Sequence, residues 1–375
     1  MPLRYIIAAY AAEVYNSCAI GRKCNMDFEK LNSLILPLND ESMQTSRVKW
    51  DNVAKPLGSL GRLEELVTQI AGIFGTPDVR VNKKGVLVLC SDNGVLAQGV
   101  AMTPGDVTAI MAEFIADGRS SVCRMAETAG ASVIAVDMGM FRSVNAEKLM
   151  DCRVSDGTGD FTLAAAMSRE QALQALCTGI TLVKNCAEQG YKILGTGEMG
   201  IGNTTTSSAI ASVMLGLEPK YVTGRGVGLS DEGLARKIAV IEKAIQVNSP
   251  DKNDAIDVLQ KLGGFDIAGL TGIFIGGAVH RIPVVIDGFI SSVSALIAAK
   301  LCPGVLNFIF PSHLSAEPAG ALVLNALGLA PFITADMRLG EGTGAVCMFP
   351  LLEMALSVYH NACTYADIES RNPTR

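Results

Sequence analysis

The sequence has few of the residues that build zinc sites or disulfide frameworks. Only three histidines occur in 375 residues, at positions 280, 313 and 360, and none of them follows an H-x-x-x-H spacing. A zinc site made from histidines is therefore not expected. The ten cysteines are scattered without a C-x-x-C pair, whereas secreted disulfide scaffolds are short and dense in cysteine. We interpret these cysteines as reduced thiols and expect a cytoplasmic protein.

An excess of positive charge and long apolar runs are also missing. The formal net charge is −6 and the isoelectric point is near 5.3, whereas proteins that bind nucleic acids normally carry a basic excess. We therefore expect no nucleic-acid partner, and any anion site must be local. No run of about 20 uninterrupted apolar residues occurs, so no membrane span is expected. Polar residues interrupt residues 1–25 too often for a signal peptide, and we expect this segment to be a dispensable, unstructured extension.

Five short apolar runs alternate with segments of helical spacing, such as residues 234–245 (LARKIAVIEKAI). Continuous apolar runs are typical of strands that are buried on both faces. Their alternation with helices indicates an open parallel α/β sheet. The composition, 49% hydrophobic and 18% charged, suits a folded chain with a large core. The predicted strands are residues 85–90, 132–136, 192–194, 282–286 and 305–310.

Polar residues and glycines follow each predicted strand. In open α/β sheets, ligands bind beyond the carboxyl ends of the strands. One such loop is most simply a turn, but five together favour a shared site. The residues that follow the strands are Asp92-Asn93-Gly94, Asp137-Met138-Gly139, Gly195-Thr196-Gly197-Glu198, Asp287-Gly288 and Ser312-His313.

The segment GTGEMGIGNTTTSS, residues 195–208, is the richest in chemistry. Its G-x-G-x-x-G pattern matches a dinucleotide fingerprint, which leaves an NAD-dependent oxidoreductase as an alternative. A carboxylate at Glu198 would repel a pyrophosphate but would accept hydrogen bonds from ribose hydroxyls. Glycines and hydroxyls at a helix N-terminus suit a phosphate. We therefore predict a phosphate cradle over residues 202–206 that binds a phosphosugar; a plain turn is the alternative.

Two further glycine-rich loops are candidates. TGRGVG, residues 223–228, precedes a predicted helix cap at Ser230, and Arg225 or Lys237 would supply positive charge to a phosphate. LGEGTG, residues 339–344, places Glu341 between glycines. In an apolar pocket the pKa of Glu341 would rise toward the range of a useful base. An exposed turn glutamate is the alternative.

Seven motifs in order resemble the nicotinate-nucleotide–dimethylbenzimidazole phosphoribosyltransferase family, over a match that runs from about Met26 to Ile368. The motifs are KPLGSLGRLEEL (55–66), GEMGIGNTTTSSA (197–209), GRGVGLSDEGLARK (224–237), GGFDIAGLTG (263–272), DGFISS (287–292), SHLSAEPAG (312–320) and LGEGTGA (339–345).

This resemblance implies an α/β fold, with an open parallel sheet flanked by helices in a Rossmann-like large domain over residues 71–345. It also implies a small helical domain formed by the N- and C-terminal segments, residues 26–70 and 346–375, and a homodimer. The implied substrates are nicotinate mononucleotide and an aromatic base. No cofactor and no metal are expected, because the pyridinium of the nucleotide is already an activated leaving group.

The resemblance also implies residue roles. Glu341 would be the catalytic base, and Glu198 would lie near the ribose and act with it. The implied phosphate and ribose contacts are Gly202, Asn203, Thr204, Thr205, Gly226, Lys237 and Ser315. The implied base contacts are Asp92, Asn93, Thr103 and Leu339.

Two of these positions depart from the family, which commonly has His at position 93 and often an aromatic residue or Ser at position 103. This puts the identity of the accepted base in doubt but not the reaction class. A non-catalytic paralogue is a further alternative, and the presence of both Glu198 and Glu341 argues against it.

Overall fold

The structure, a computed structural model, describes residues 26–371. The extension predicted over residues 1–25 lies outside the described residues. The strands are β1 Lys84–Ser91, β2 Ala131–Gly139, β3 Met150–Asp151, β4 Ile193–Met199, β5 Val284–Ile286 and β6 Ile309–Pro311. The α-helices are α1 Phe28–Ser33, α2 Asp40–Asn52, α3 Arg62–Phe74, α4 Val107–Ala116, α5 Ser121–Thr128, α6 Arg169–Glu188, α7 Asn203–Leu215, α8 Pro219–Val222, α9 Asp231–Asn248, α10 Ala255–Leu262, α11 Phe265–His280, α12 Phe289–Leu301, α13 Gly320–Ala326, α14 Thr343–Asn361 and α15 Tyr365–Arg371. Gly94–Gln98 and Pro303–Phe308 form short 3-10 helices.

The six strands form one parallel sheet in the order β3-β2-β1-β4-β5-β6. This confirms the predicted open α/β fold. The order reverses between β1 and β4, which is where ligands bind in doubly wound sheets. All eight residues of β1 are buried, as expected for a central strand covered on both faces. The strand order therefore predicts a ligand site beyond the carboxyl ends of β1 and β4.

Helices cover both faces of the sheet. A Cβ on Gly342, next to the start of α14, would contact Val86 of β1 at 2.5 Å. A Cβ on Gly269 of α11 would contact Leu89 of the same strand at 2.6 Å. Val86 and Leu89 are three residues apart, so they point to opposite faces. Helices α14 and α11 therefore lie on opposite sides of the sheet.

Two predicted strand boundaries are wrong. The strand predicted over residues 192–194 continues to Met199, so Gly195, Gly197 and Glu198 belong to β4 and not to a loop. Of the strand predicted over residues 305–310, the first part is the 3-10 helix Pro303–Phe308 and only the end enters β6. The short edge strand β3 was not predicted, because its two residues carry no apolar run.

The N- and C-terminal helical segments contact each other. The rings of Trp50 and Tyr359 have centroids 4.9 Å apart, and the amide of Ala54 donates to the carbonyl of Cys363 at 2.9 Å. The division into a large and a small domain stays a prediction, and its boundaries at residues 70 and 345 fall inside α3 and α14. Within residues 26–371, no helix is both long enough and apolar enough to cross a membrane.

Candidate active site

A cavity of about 260 Å³ lies at the carboxyl ends of the strands, where the strand order predicts it. Many of its walls come from the loops after β4, β5 and β6. Eight of the predicted site residues line this cavity: Glu198, Asn203, Thr204, Gly226, Ser315, Thr103, Leu339 and Glu341. Residues that are far apart in the chain therefore meet at one place.

Glu341 lies on a tight turn with an unusual backbone. Gly340, Glu341 and Gly342 have φ values of 84°, 61° and 93°, a left-handed conformation that a non-glycine residue rarely adopts. The carboxylate of Asp287 accepts hydrogen bonds from the amides of Gly342 at 3.0 Å and Gly344 at 2.6 Å. These bonds from the following residues hold the turn in place, so that Glu341 is fixed against the cavity.

The carboxyl group of Glu341 is buried and has few partners. Only 7% of the residue is exposed, and its Oε2 accepts a hydrogen bond from the amide of Val122, at the start of α5, at 3.3 Å. Burial raises the pKa of Glu341, and this bond together with Ser120 opposes the rise. The alternative of an exposed turn glutamate is therefore wrong, and the pKa of the buried carboxyl group is raised as the sequence predicts for an apolar pocket.

Glu198 lies beside the same turn. It is the second-last residue of β4, and a Cβ on Gly340 would lie 2.5 Å from its Oε1. Burial raises the pKa of Glu198 to about 8, although a hydrogen bond from the side chain of Asn203 lowers it. Two acidic groups, Glu198 and Glu341, thus share one cavity.

The predicted phosphate cradle borders the same cavity at Asn203 and Thr204. Helix α7 begins directly after Gly202, and the Nζ of Lys237 donates to the Oγ1 of Thr204 at 2.8 Å. A Cβ on Gly226 would lie 3.2 Å from that hydroxyl and 3.7 Å from that Nζ. Burial lowers the pKa of Lys237 to about 8. A helix N-terminus, a hydroxyl and a buried cation thus converge here.

Five predicted site residues do not line the cavity. Gly202 caps α7, and Lys237 lies behind Thr204 with 1% of its surface exposed. The hydroxyl of Thr205 and both side-chain polar atoms of Asn93 are buried without a hydrogen-bond partner among the described residues. Asp92 accepts a hydrogen bond from the amide of Phe141 at 2.8 Å. Asp92 and Asn93 are therefore placed behind the wall of the cavity and not on it.

Several cavity residues were not among the predicted contacts. Asp287 and His313 line the cavity, and both follow strands, so the position after a strand was the signal for them. Glu317 and Arg338 also line it, but they lie in irregular segments that carry no periodic pattern. Arg225, considered as a phosphate ligand, instead donates to the carbonyl of Leu229 at 2.9 Å.

Comparisons with known proteins agree with this geometry. A family model described as phosphoribosyltransferase matches residues 35–369. The chain is 45% identical over 350 residues to the nicotinate-nucleotide–dimethylbenzimidazole phosphoribosyltransferase of Acetivibrio thermocellus, covering 93% of this chain and 99% of that protein. The enzyme of the same name from Clostridium acetobutylicum is 43% identical over 352 residues, covering 93% of this chain and 100% of that protein.

A solved structure agrees as well. The crystal structure of the enzyme of that name from Thermus thermophilus superposes with a TM-score of 0.82 at 33% identity, covering 88% of this chain and 98% of that chain. The resemblance seen in the seven motifs thus extends over nearly the whole sequence and the whole fold. The chain belongs to the nicotinate-nucleotide–dimethylbenzimidazole phosphoribosyltransferase family.

Proposed function

We propose that this enzyme transfers ribose 5-phosphate from nicotinate mononucleotide to 5,6-dimethylbenzimidazole or a related base, giving α-ribazole 5′-phosphate and nicotinate. This reaction would serve assembly of the nucleotide loop of cobalamin or a related cobamide. The names of the related enzymes support these substrates. The single observation that carries the proposal is the cavity itself, which brings the buried carboxyl groups of Glu198 and Glu341 together with a cradle suited to an anion.

Glu341 is the proposed general base. It takes the proton from one imidazole nitrogen of the incoming base, and the other nitrogen attacks C1′ of the ribose. The bond from C1′ to the pyridinium nitrogen breaks, and its electron pair neutralises the nicotinate ring. Attack on the face opposite to the leaving group inverts the β-nucleotide to the α-product. The burial that raises the pKa of Glu341 makes this proton transfer more favourable.

Glu198 is proposed to act on the ribose. Positive charge develops on the sugar as nicotinate leaves, and a carboxylate at this place stabilises that charge. The same group accepts hydrogen bonds from ribose hydroxyls. Its position next to the Glu341 turn supports a role at the reacting carbon, because the two groups flank the same part of the cavity.

The remaining contacts are proposed for the phosphate of the nucleotide and for the incoming aromatic base. The phosphate is held by the start of α7 and by the hydroxyl of Thr204, and Lys237 supplies positive charge from behind that hydroxyl. The members of this set are Gly202, Asn203, Thr204, Thr205, Gly226, Lys237 and Ser315. Thr103 and Leu339 line the cavity and would contact the aromatic base, with Asp92 and Asn93 behind them.

The test is incubation of the purified enzyme with nicotinate mononucleotide and a panel of bases, with the products identified by mass. We expect free nicotinate and one ribosylated base in equal amounts. Release of nicotinate without a ribosylated base, or no reaction with any base, would refute the proposal. An NAD-dependent oxidoreductase is disfavoured, because Gly195 and Gly197 lie in a strand and face Ala345 and Glu341.

We also propose that the enzyme is a cytoplasmic homodimer. The eight cysteines in the described part of the chain are all free, which supports a reducing compartment. Light scattering of the purified enzyme would measure the mass, and a monomer at micromolar concentration would contradict the dimer.

A further inference from the structure

Glu198 is linked through Asn203 to a second acid, Asp266, which does not line the cavity. The Nδ2 of Asn203 donates to Oε2 of Glu198 and also to Oδ2 of Asp266 at 2.9 Å. Asp266 is fully buried and is not on the cavity wall. One amide thus joins a carboxyl group that faces the substrate to one that cannot touch it.

Asp266 is held in turn by its own helix. It lies in the first turn of α11, where the free amides of the helix N-terminus favour a carboxylate. One carboxylate oxygen, Oδ1, is buried without a hydrogen-bond partner among the described residues. The start of α11 therefore sets the direction of Asp266, and Asp266 can set the direction of Asn203.

Asn93 extends the connection. Its side chain is fully buried, and neither of its polar atoms has a hydrogen-bond partner in the described part of the chain. A Cβ on Gly264 would lie 2.6 Å from Oδ1 of Asn93 and would also contact Oδ1 of Asp266. The two ends of an amide have the same shape, so Asn93 can turn its Nδ2 toward Asp266. Turned in this way, Asn93 would extend the connection from Glu198 through Asn203 and Asp266.

We propose that Asp266 is a positioning residue for the transfer reaction, which acts through Asn203 to fix the orientation of Glu198 and to keep that group protonated in the empty cavity. The inference rests on the proposed function, because it assigns a role in that reaction. It adds a residue that never contacts the substrate.

The charges around the pair explain the second part of this role. Burial raises the pKa of Asp266 to about 6 and that of Glu198 to about 8. Asp266 therefore ionises first, and its charge opposes ionisation of Glu198. Asp287, after β5, and Glu341, before α14, are acids that face Glu198 and make its ionisation harder. Asp92, after β1, opposes ionisation of Asp266 in the same way. The basic side chains on the wall of the cavity are His313 and Arg338.

The first test is the pH dependence of kcat/KM for nicotinate mononucleotide at saturating base, in a Lys237→Met background that removes the opposing loss of the Lys237 proton at about pH 8. In this background the rate should rise with pH as Glu198 ionises, and Glu198→Gln should abolish that rise. Asp266→Asn keeps the shape but removes the charge, so the rise should move to lower pH by about one unit. A rate that falls equally at every pH, with no movement of the rise, would overturn the inference.

The second test asks whether Asp266 acts through Glu198. Asp266→Ala removes the group that accepts from Asn203, so it should lower kcat at the pH optimum about tenfold, because Glu198 is no longer held in place. In a Glu198→Gln background the same change should cost less than about twofold, since groups that act as a unit are not additive. Equal losses in both backgrounds would mean that Asp266 only supports the fold.

The control is Asp257→Asn, which removes an acid of α10 that pairs with Lys261 at 2.8 Å and does not line the cavity. It should leave kcat unchanged in both backgrounds. If Asp266→Asn does not fold, as judged by thermal unfolding, Asp266→Ser provides the same comparison with a smaller side chain. Failure of the wild-type enzyme to form a phosphoribosylated base would refute the proposed function. If the enzyme is active but the losses of kcat in the Asp266 and Glu198 variants are additive, only this inference is refuted.

Discussion

Gly197 lies against the backbone of Glu341, and a single added methyl group there should displace the proposed base. A Cβ on Gly197 would lie 2.5 Å from the carbonyl oxygen of Glu341 and 2.9 Å from the amide nitrogen of Gly342. Carbon and oxygen atoms rarely approach closer than about 3.3 Å. Gly197→Ala therefore requires a movement of roughly 0.8 Å between β4 and the turn.

This movement falls on the group that must take the proton. A misplacement of about 1 Å in a catalytic group costs on the order of 10²-fold in rate. We therefore expect Gly197→Ala to lower kcat/KM by about 10²-fold, although alanine adds no polar group. The assay is the release of nicotinate from nicotinate mononucleotide in the presence of dimethylbenzimidazole, together with thermal unfolding of the variant.

The matched control is Gly159→Ala, a glycine whose added Cβ would have its nearest contacts at an ordinary 3.5 Å. It should keep wild-type activity and a similar melting temperature. Gly197→Ala with activity within threefold of the wild type would refute the reasoning, because the turn would then tolerate the displacement. The thermal transition of Gly197→Ala would show whether a loss of activity comes from unfolding or from displacement of Glu341.

Glu341→Gln should fold normally and lose about 10²–10⁴-fold in kcat, the usual contribution of a general base; near-wild-type turnover at saturating dimethylbenzimidazole would remove Glu341 from this role. Thr204→Val should weaken binding of the nucleotide more than binding of the free base, measured by calorimetry, and equal effects on both would make the loop only a turn. The KM for the nucleotide should rise as pH increases through about 8, because the buried Lys237 loses its proton there and a neutral amine no longer attracts the phosphate; Lys237→Met should remove this dependence, and a pH-independent wild-type KM would contradict it. Thr103 offers no stacking surface, so dimethylbenzimidazole should be preferred only weakly over benzimidazole, adenine and p-cresol in competition assays, and Thr103→Tyr should strengthen the preference up to about tenfold; a wild-type preference of several orders of magnitude would show that other residues set the choice.

The sheet and the positions of the acids could be predicted from local patterns. Continuous apolar runs predict the central strands. Because ligands bind beyond the carboxyl ends of parallel strands, the same pattern predicts that Glu198 and Asp287 lie at one edge of the sheet, and both line the cavity there. The cap at Ser230 is confirmed, since its side chain accepts from the amide of Gly233. These features depend on residues that are close in the sequence, where periodicity and capping chemistry act.

The sequence alone does not reveal why the fingerprint pattern contains Gly195 and Gly197, which lie in strand β4. A glycine that gives a loop its freedom and a glycine that makes room for a neighbour look the same in a sequence. Gly195 is needed because a Cβ would lie 2.8 Å from that of Ala345, a residue far away in the chain. Likewise, nothing local reveals that Asn93 is buried beside Asp266. Such contacts depend on packing between distant segments.

Helix α14 connects the active site to the terminal helices, and a proline interrupts it between the two. It begins two residues after Glu341 and runs to Asn361, where Tyr359 packs against Trp50, but Pro350 interrupts its interior. A proline removes one hydrogen bond of the helix and bends it. The two halves of α14 therefore move together less rigidly than the two halves of a helix without an internal proline. A displacement of the terminal helices therefore reaches the turn at Glu341 only weakly, because that turn is held by the bonds to Asp287.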